Sequence, residues 1–206
     1  MYAIVENNEI TKLITNPKSM VIGDVRYPAK IFQLWSASEL NAIGIYEVVF
    51  DDSNKKDEKW YINTNQSYDF DGNEVTASYG SATAKAHADS LWTQDEINDG
   101  DAPEGISPWD VKTRGLKYNL IRDLKITVAN ILSETDWYIT RNTEKSTAIP
   151  SAISTHRDAV RTKQAEMETQ ITNASDTPAL ETLYTYTTDS DGVQSRPLGE
   201  LPTLEI

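Results

Sequence analysis

The stretch ILSETDWYITRN, residues 131–142, decides how the second half of the chain folds. Leading into it, Leu116, Leu120, Leu124, Val128, Ile131 and Leu132 recur so as to lay one apolar stripe along a helix of about 20 residues or more. Neither Gly nor Pro interrupts the passage from that stripe into Thr135-Asp136-Trp137-Tyr138. Beyond a polar connection, Pro150 suits a first helical turn, and Ile153, Val160, Met167 and Ile171 follow at sevens and fours. Two such helices pack antiparallel when a modest connection joins them. Thr177 reads as the N-cap and Pro178 as N1 of a third, short helix. The turn-rich, proline-spaced remainder reads as an extended arm or an edge pairing back onto the body.

Upstream of Gly80 the period is that of strands. MYAIVE and EITKLI flank Asn7-Asn8, which tolerate positive φ, and a second pair of short runs turns at Gly23-Asp24. Ser36 followed by Glu39 is a capping box and Gly44 a stop, so a helix of about two turns lies between them, with Leu40 and Ile43 facing inward. IYEVVF is strand-like, and SYDFDGNEVTASY is a hairpin turning at Asp71-Gly72. Residues 81–110 lose periodicity, with an acidic stretch around QDEINDGDAPEG and room for a short helix around Ala84 to Trp92. The fold class is therefore α+β. A small, mostly antiparallel β domain with one short helix (1–80) leads through an acidic linker (81–110) to a helical hairpin (111–173), then to a short helix and extended C-terminal arm (174–206).

Charge is unevenly placed along the chain and suggests modules. Residues 1–110 hold 8 basic and 19 acidic side chains, a net −11; residues 111–163 hold 10 and 5, a net +5; residues 164–206 hold 1 and 8, a net −7. The total of −13 repels nucleic-acid phosphate and anionic membrane, so neither is expected as a partner. No apolar run approaches the roughly 18 residues of a membrane span, and the first residues lack a basic and apolar leader. With no Cys there is no disulfide, thiol nucleophile or thiolate metal site, which is compatible with a reducing compartment.

The segment LIRDLKITVANILSETDWYITRNTEKSTAIPSAISTHRDAVRTKQAEME carries a basic helix with paired apolar residues leading to Asp-Trp, a spacer with proline, and a helix containing His-Arg-x-Ala-Val-Arg. Over residues 112–172 it resembles the phage tail assembly chaperone family. The matching positions are Arg122, Ile131, Leu132, Thr135, Asp136, Trp137, Pro150, His156, Arg157, Ala159, Val160 and Arg161. His156 stands where the family more often has Tyr, and the connection YITRNTEKSTAIP is long. The aromatic first half is similar, less specifically, to N-terminal regions of tail-associated phage proteins. The resemblance implies a non-enzymatic bacteriophage protein that contacts tail, fibre or baseplate subunits during assembly in the host cytoplasm. A permanent component of the virion tail, baseplate or fibre attachment is the alternative, and a glycan-binding or glycan-cleaving receptor module a remote one. A homo-oligomer is compatible with either of the first two.

The motif residues also allow a physical reading. Trp137 is expected to insert between the two helices at the hairpin end, contributing about 2 to 3 kcal/mol through apolar burial. Asp136 is then free to cap backbone amides or to meet Arg157 or Arg161. No catalytic, cofactor or metal site is expected. His87 and His156 lack a nucleophile framework, so both read as surface or packing residues. Asp69, Asp71, Asn73 and Glu74 have a calcium-like rhythm, yet Tyr68 and Val75 on either side favour a hairpin. Gly-rich phosphate loops are absent, and most aromatics of the first half are needed for its core.

Overall fold

The computed structural model describes residues 1–64 and 66–204, which divide into two compact units, Met1–Thr83 and Ala84–Ile206. The last two residues of the expected C-terminal arm lie outside the described residues. The fold is α+β, with a β-rich first unit and a second unit dominated by helices.

In the first unit β1 (Tyr2–Glu6) and β2 (Glu9–Ile14) form the opening hairpin, with Asn7 and Asn8 at φ 54° and 65°. Two consecutive left-handed residues give the primed turn whose twist matches that of the strands. A smaller hairpin, β3 (Met20–Ile22) and β4 (Val25–Tyr27), turns at Gly23, φ 57°. Two short helices follow, α1 (Ile31–Leu34) and α2 (Ala37–Asn41), where one had been expected. The capping box at α2 is complete: Ser36 Oγ accepts from Glu39 N–H, and Glu39 Oε2 accepts from Ser36 N–H at 2.8 Å.

Gly44, φ 79°, ends that segment, and a Cβ there would lie 2.7 Å from the Val5 carbonyl oxygen. The chain continues through β5 (Ile45–Asp51), β6 (Tyr61–Ile62), β7 (Ser67–Phe70) and β8 (Val75–Ser78). The main sheet has the order β2-β1-β5-β8-β7, antiparallel except for the parallel pair β5 and β8. Both faces of β1 are covered. Ala3 and Val5 pack with Val48, Val75 and Ala77 on one side, and Tyr2 packs with Ile31, Leu40 and Ile45 on the other. That is why the sequence there runs continuously apolar instead of alternating.

The second unit opens with β9 (Thr83–Ala84) at the junction, then β10 (Ser90–Leu91), α3 (Gln94–Asn98) and β11 (Val111–Thr113). The expected acidic linker is thus a built segment. β10 pairs antiparallel with β11, and α3 carries its own capping box from Thr93 and Glu96. The short helix expected near Ala84 to Trp92 is absent among the described residues. Asp89 there serves another purpose, accepting from Gly115 N–H at 2.8 Å and from Arg114 Nη1 at 2.6 Å ahead of the long helix.

That helix, α4 (Leu116–Ser133), runs antiparallel to α6 (Ser151–Asn173). Lys117 Nζ near the start of α4 donates to Thr172 O near the end of α6, and Arg157 early in α6 donates to Leu132 O at the end of α4. Leu124 and Val128 are buried on α4, and Ile153, Val160, Met167 and Ile171 on α6, at the positions the apolar spacing marks. A helix not expected from the sequence, α5 (Asp136–Lys145), occupies most of the connection. Asp136 in its first turn and Lys145 in its last complement the helix dipole.

The short helix α7 (Thr177–Tyr184) is capped one residue earlier than expected. Asp176 Oδ1 accepts from Ala179 N–H at 2.8 Å, because the Thr177 hydroxyl is spent on the Lys85 carbonyl at 2.6 Å. The chain beyond it folds back and does not extend. β12 (Thr187–Thr188) and β13 (Gln194–Ser195) form a hairpin, Leu198 is buried with its N–H on Leu183 O, and Arg196 meets Glu200 at 2.7 Å.

Candidate interaction surface at the helical turn

The turn between α4 and α5 is built on one arginine. Arg157 is 7% exposed, and its Nη1 donates to Leu132 O at 2.6 Å and to Thr135 Oγ1 at 2.7 Å. Its Nη2 lies 2.9 Å from Asp136 Oδ1. The last carbonyls of a helix have no partner within it, so a buried guanidinium donating there closes α4. Thr135, also buried, returns its hydroxyl to Leu132 O at 3.1 Å. Of the alternatives for Asp136, capping backbone amides or meeting Arg157 or Arg161, the Arg157 pairing is the one realised.

Trp137 does not insert between the helices. It is 51% exposed at the start of α5, and Thr135 occupies the buried place at the turn. The indole lies against Tyr138, ring centroids 3.8 Å apart, and the Arg141 guanidinium stands 4.7 Å from the Trp137 ring and 5.5 Å from the Tyr138 ring. Arg141 Nε is buried with no hydrogen-bond partner among the described residues. Ile139 is exposed beside them. The result is an aromatic and cationic surface on a short helix whose first turn is fixed by Arg157.

The other motif residues are not drawn into this cluster. Arg122 is exposed on α4 and pairs with its neighbour Asp123 at 3.0 Å, and Arg161 is exposed on α6 beside Asp158 at 3.5 Å. His156 is buried on α6 and lines a recess with Ala152, Ala159, Pro202 and Leu204. The missed contributor is Arg141, whose spacing of four from Trp137 places both on one helix face once α5 is recognised. The signal within the sequence is weak: a stretch free of Gly and Pro from Glu134 to Ile149, in which Asp136 and Lys145 stand nine residues apart in the order a helix dipole favours.

Elsewhere, Asp71 Oδ1 accepts from the Asn73 and Glu74 amides at 2.8 Å each, as a hairpin turn requires. Trp60 and Tyr61 are buried, and Tyr46, Tyr68 and Phe70 pack against the first unit's core. No helix among the described residues is long and apolar enough to cross a membrane. No protein-family model, curated protein or solved structure matches the chain.

Proposed function

We propose that the protein acts by protein contact and not by catalysis, as a bacteriophage tail or tail-fibre assembly factor that engages an unassembled tail, fibre or baseplate subunit. The observation that carries this reading is the display of Trp137, Tyr138 and Arg141 on α5, clamped through Asp136 to Arg157. Trp, Tyr and Arg are the residue types in which binding energy concentrates at protein interfaces, and a fixed helix limits the entropy lost on docking. The same Asp-Trp and Arg positions carry the resemblance to tail assembly chaperones. Negative charge of −13 over the chain keeps such a complex dispersed before assembly.

The test is quantitative mass spectrometry of purified infectious particles beside lysates of infected cells. Abundance in cells with absence from particles supports an assembly factor. A fixed ratio to the major tail subunit in particles would make the protein a permanent tail component instead.

A further inference from the structure

Arg141 on α5 carries a positive charge that its neighbours leave unanswered. Arg114, Arg122, Arg157, Arg161 and Arg196 each meet a carboxylate, at 2.6, 3.0, 2.9, 3.5 and 2.7 Å respectively. Arg141 makes no ion pair and no hydrogen bond among the described residues. The acids of its own helix are not available to it in this arrangement. Asp136 is held by Arg157, and Glu144, three positions on, is exposed and forms no salt bridge among the described residues. Lys145, four positions on and so on the same side of the helix, adds a second positive charge.

What Arg141 has instead is two aromatic rings, since its guanidinium stands 4.7 Å from the Trp137 centroid and 5.5 Å from that of Tyr138. Nε is sealed from water without an acceptor, a state that costs free energy. The terminal nitrogens Nη1 and Nη2 are not sealed, so the outer edge of the fork stays open to a ligand. Stacking on the rings also holds the guanidinium plane, which lowers the entropy lost when an acceptor binds. It removes part of the hydration as well, which strengthens a charge-assisted hydrogen bond made there. Beside the fork, Trp137 and Ile139 are 51% and 38% exposed, an apolar margin next to an unpaired cation.

The ligand that matches such an edge is a carboxylate, whose two oxygens accept the parallel N–H bonds of a guanidinium fork. We infer that α5 binds an Asp or Glu side chain standing beside an apolar residue in a partner protein, the acid on the outer edge of Arg141 and the apolar neighbour over Trp137 and Ile139. A polyanion such as nucleic acid fits less well. It would bring phosphates against Glu144 and against Asp136, whose side chain is 60% exposed, on a chain of net charge −13. A lone carboxylate needs one cation and no wider positive surface. The inference rests on the reading of α5 as a contact surface, but it does not require the partner to be a tail subunit.

The experiment is selection of a random peptide library on the full chain. Each enriched peptide is then titrated by fluorescence anisotropy against wild type, Arg141→Gln, Arg141→Lys and Trp137→Ala, with circular dichroism establishing that each variant is folded. The peptides should share an Asp or Glu beside an apolar residue. Replacing that acid by its amide should weaken binding by about tenfold or more, the range of hydrogen bonds to a charged group. This arm leaves the protein untouched, so it reads the contact even where a variant fails to fold. Arg141→Gln should lose as much and add nothing to the loss seen with the amide peptide, and Arg141→Lys should recover little because an ammonium has no fork. Peptides that need Trp137 but bind equally with acid or amide overturn the carboxylate and leave the contact surface standing. Peptides indifferent to both Trp137 and Arg141, or no enrichment at all, overturn both. A single-stranded oligonucleotide bound through Arg141 more tightly than any peptide overturns the inference in favour of a nucleic-acid surface.

Discussion

The guanidinium of Arg157, early in α6, lies 2.9 Å from the carboxylate of Asp136, the first residue of α5. One buried side chain thereby fixes where α4 stops and where the next helix starts, through a residue 21 positions further along the chain.

Arg157→Ala should be among the most destabilising single changes in the second unit. It leaves the Leu132 carbonyl and the Thr135 hydroxyl without their charged donor in a buried place, whereas Asp136 is open to water. Losing hydrogen bonds from a buried charged group predicts a cost of about 2 to 4 kcal/mol. Arg157→Lys should recover little, because a single ammonium cannot serve two acceptors through one nitrogen and a third through another in a planar fork. Chemical denaturation of the three proteins checks the order.

Trp137→Ala, by contrast, should cost only about 1 kcal/mol. Half its surface already faces water, so little cavity forms, and what is lost is its contact with Tyr138 and Arg141. Under the proposed function, binding to the partner subunit should fall far more than stability does. A loss of about 3 kcal/mol or more in unfolding free energy would return Trp137 to the role of a core residue.

How far the sequence discloses this arrangement depends on the range of the interaction concerned. The Asn7-Asn8 turn, the Ser36 and Glu39 capping box and the Leu124, Val128, Val160 and Met167 stripes are local or periodic, and each is readable from its own neighbourhood. The α5 helix is hidden because its ten residues contain Thr, Asn and charged groups without an apolar stripe. The exposure of Trp137 is not local either: it follows from Thr135 and Arg157 filling the turn, and composition alone assigns the buried place to the larger residue. The α7 cap falls on Asp176 and not on Thr177 for a similar reason, since the Thr177 hydroxyl is claimed by Lys85, 92 positions earlier. The role of Asp89 at the start of α4 depends on a pairing 26 residues long.

Gly115→Ala should destabilise the second unit although Gly115 has an ordinary φ of −83°. A Cβ there would clash with the Ala88 carbonyl carbon and oxygen and lie 2.8 Å from the His87 carbonyl oxygen, all backbone atoms that cannot swing aside. The Leu116 and Lys117 amides also donate to the Ala86 and His87 carbonyls at 3.0 Å, so displacement of that segment would break the start of α4. Overpacking of this kind predicts a loss of about 1 to 3 kcal/mol. The same change at Gly105, where nothing lies within 4 Å but φ is 85°, should cost about 1 kcal/mol from backbone strain alone. Thermal melts of the two variants separate the steric from the conformational cause.

Glu96 should give the β10 and β11 ribbon a recognisable acid response. The Lys112 ammonium, 2.5 Å from its carboxylate, is the largest influence, and the Thr93 amide and hydroxyl add to it, lowering the pKa from 4.5 to about 2. A depressed folded-state value means that the native form holds the proton less tightly than the unfolded chain does. The stabilisation is therefore complete above about pH 4.5 and is lost as the pH falls towards about 2. Carbon-detected NMR titration of Glu96 should place its midpoint well below those of unpaired glutamates, and Lys112→Met should move it upward. Lys112 also stands 4.4 Å from the Trp92 ring, so protonating Glu96 should change Trp92 fluorescence in the same pH range. A Glu96 midpoint near 4.5 in the wild type would mean that the Lys112 pair does not persist in solution.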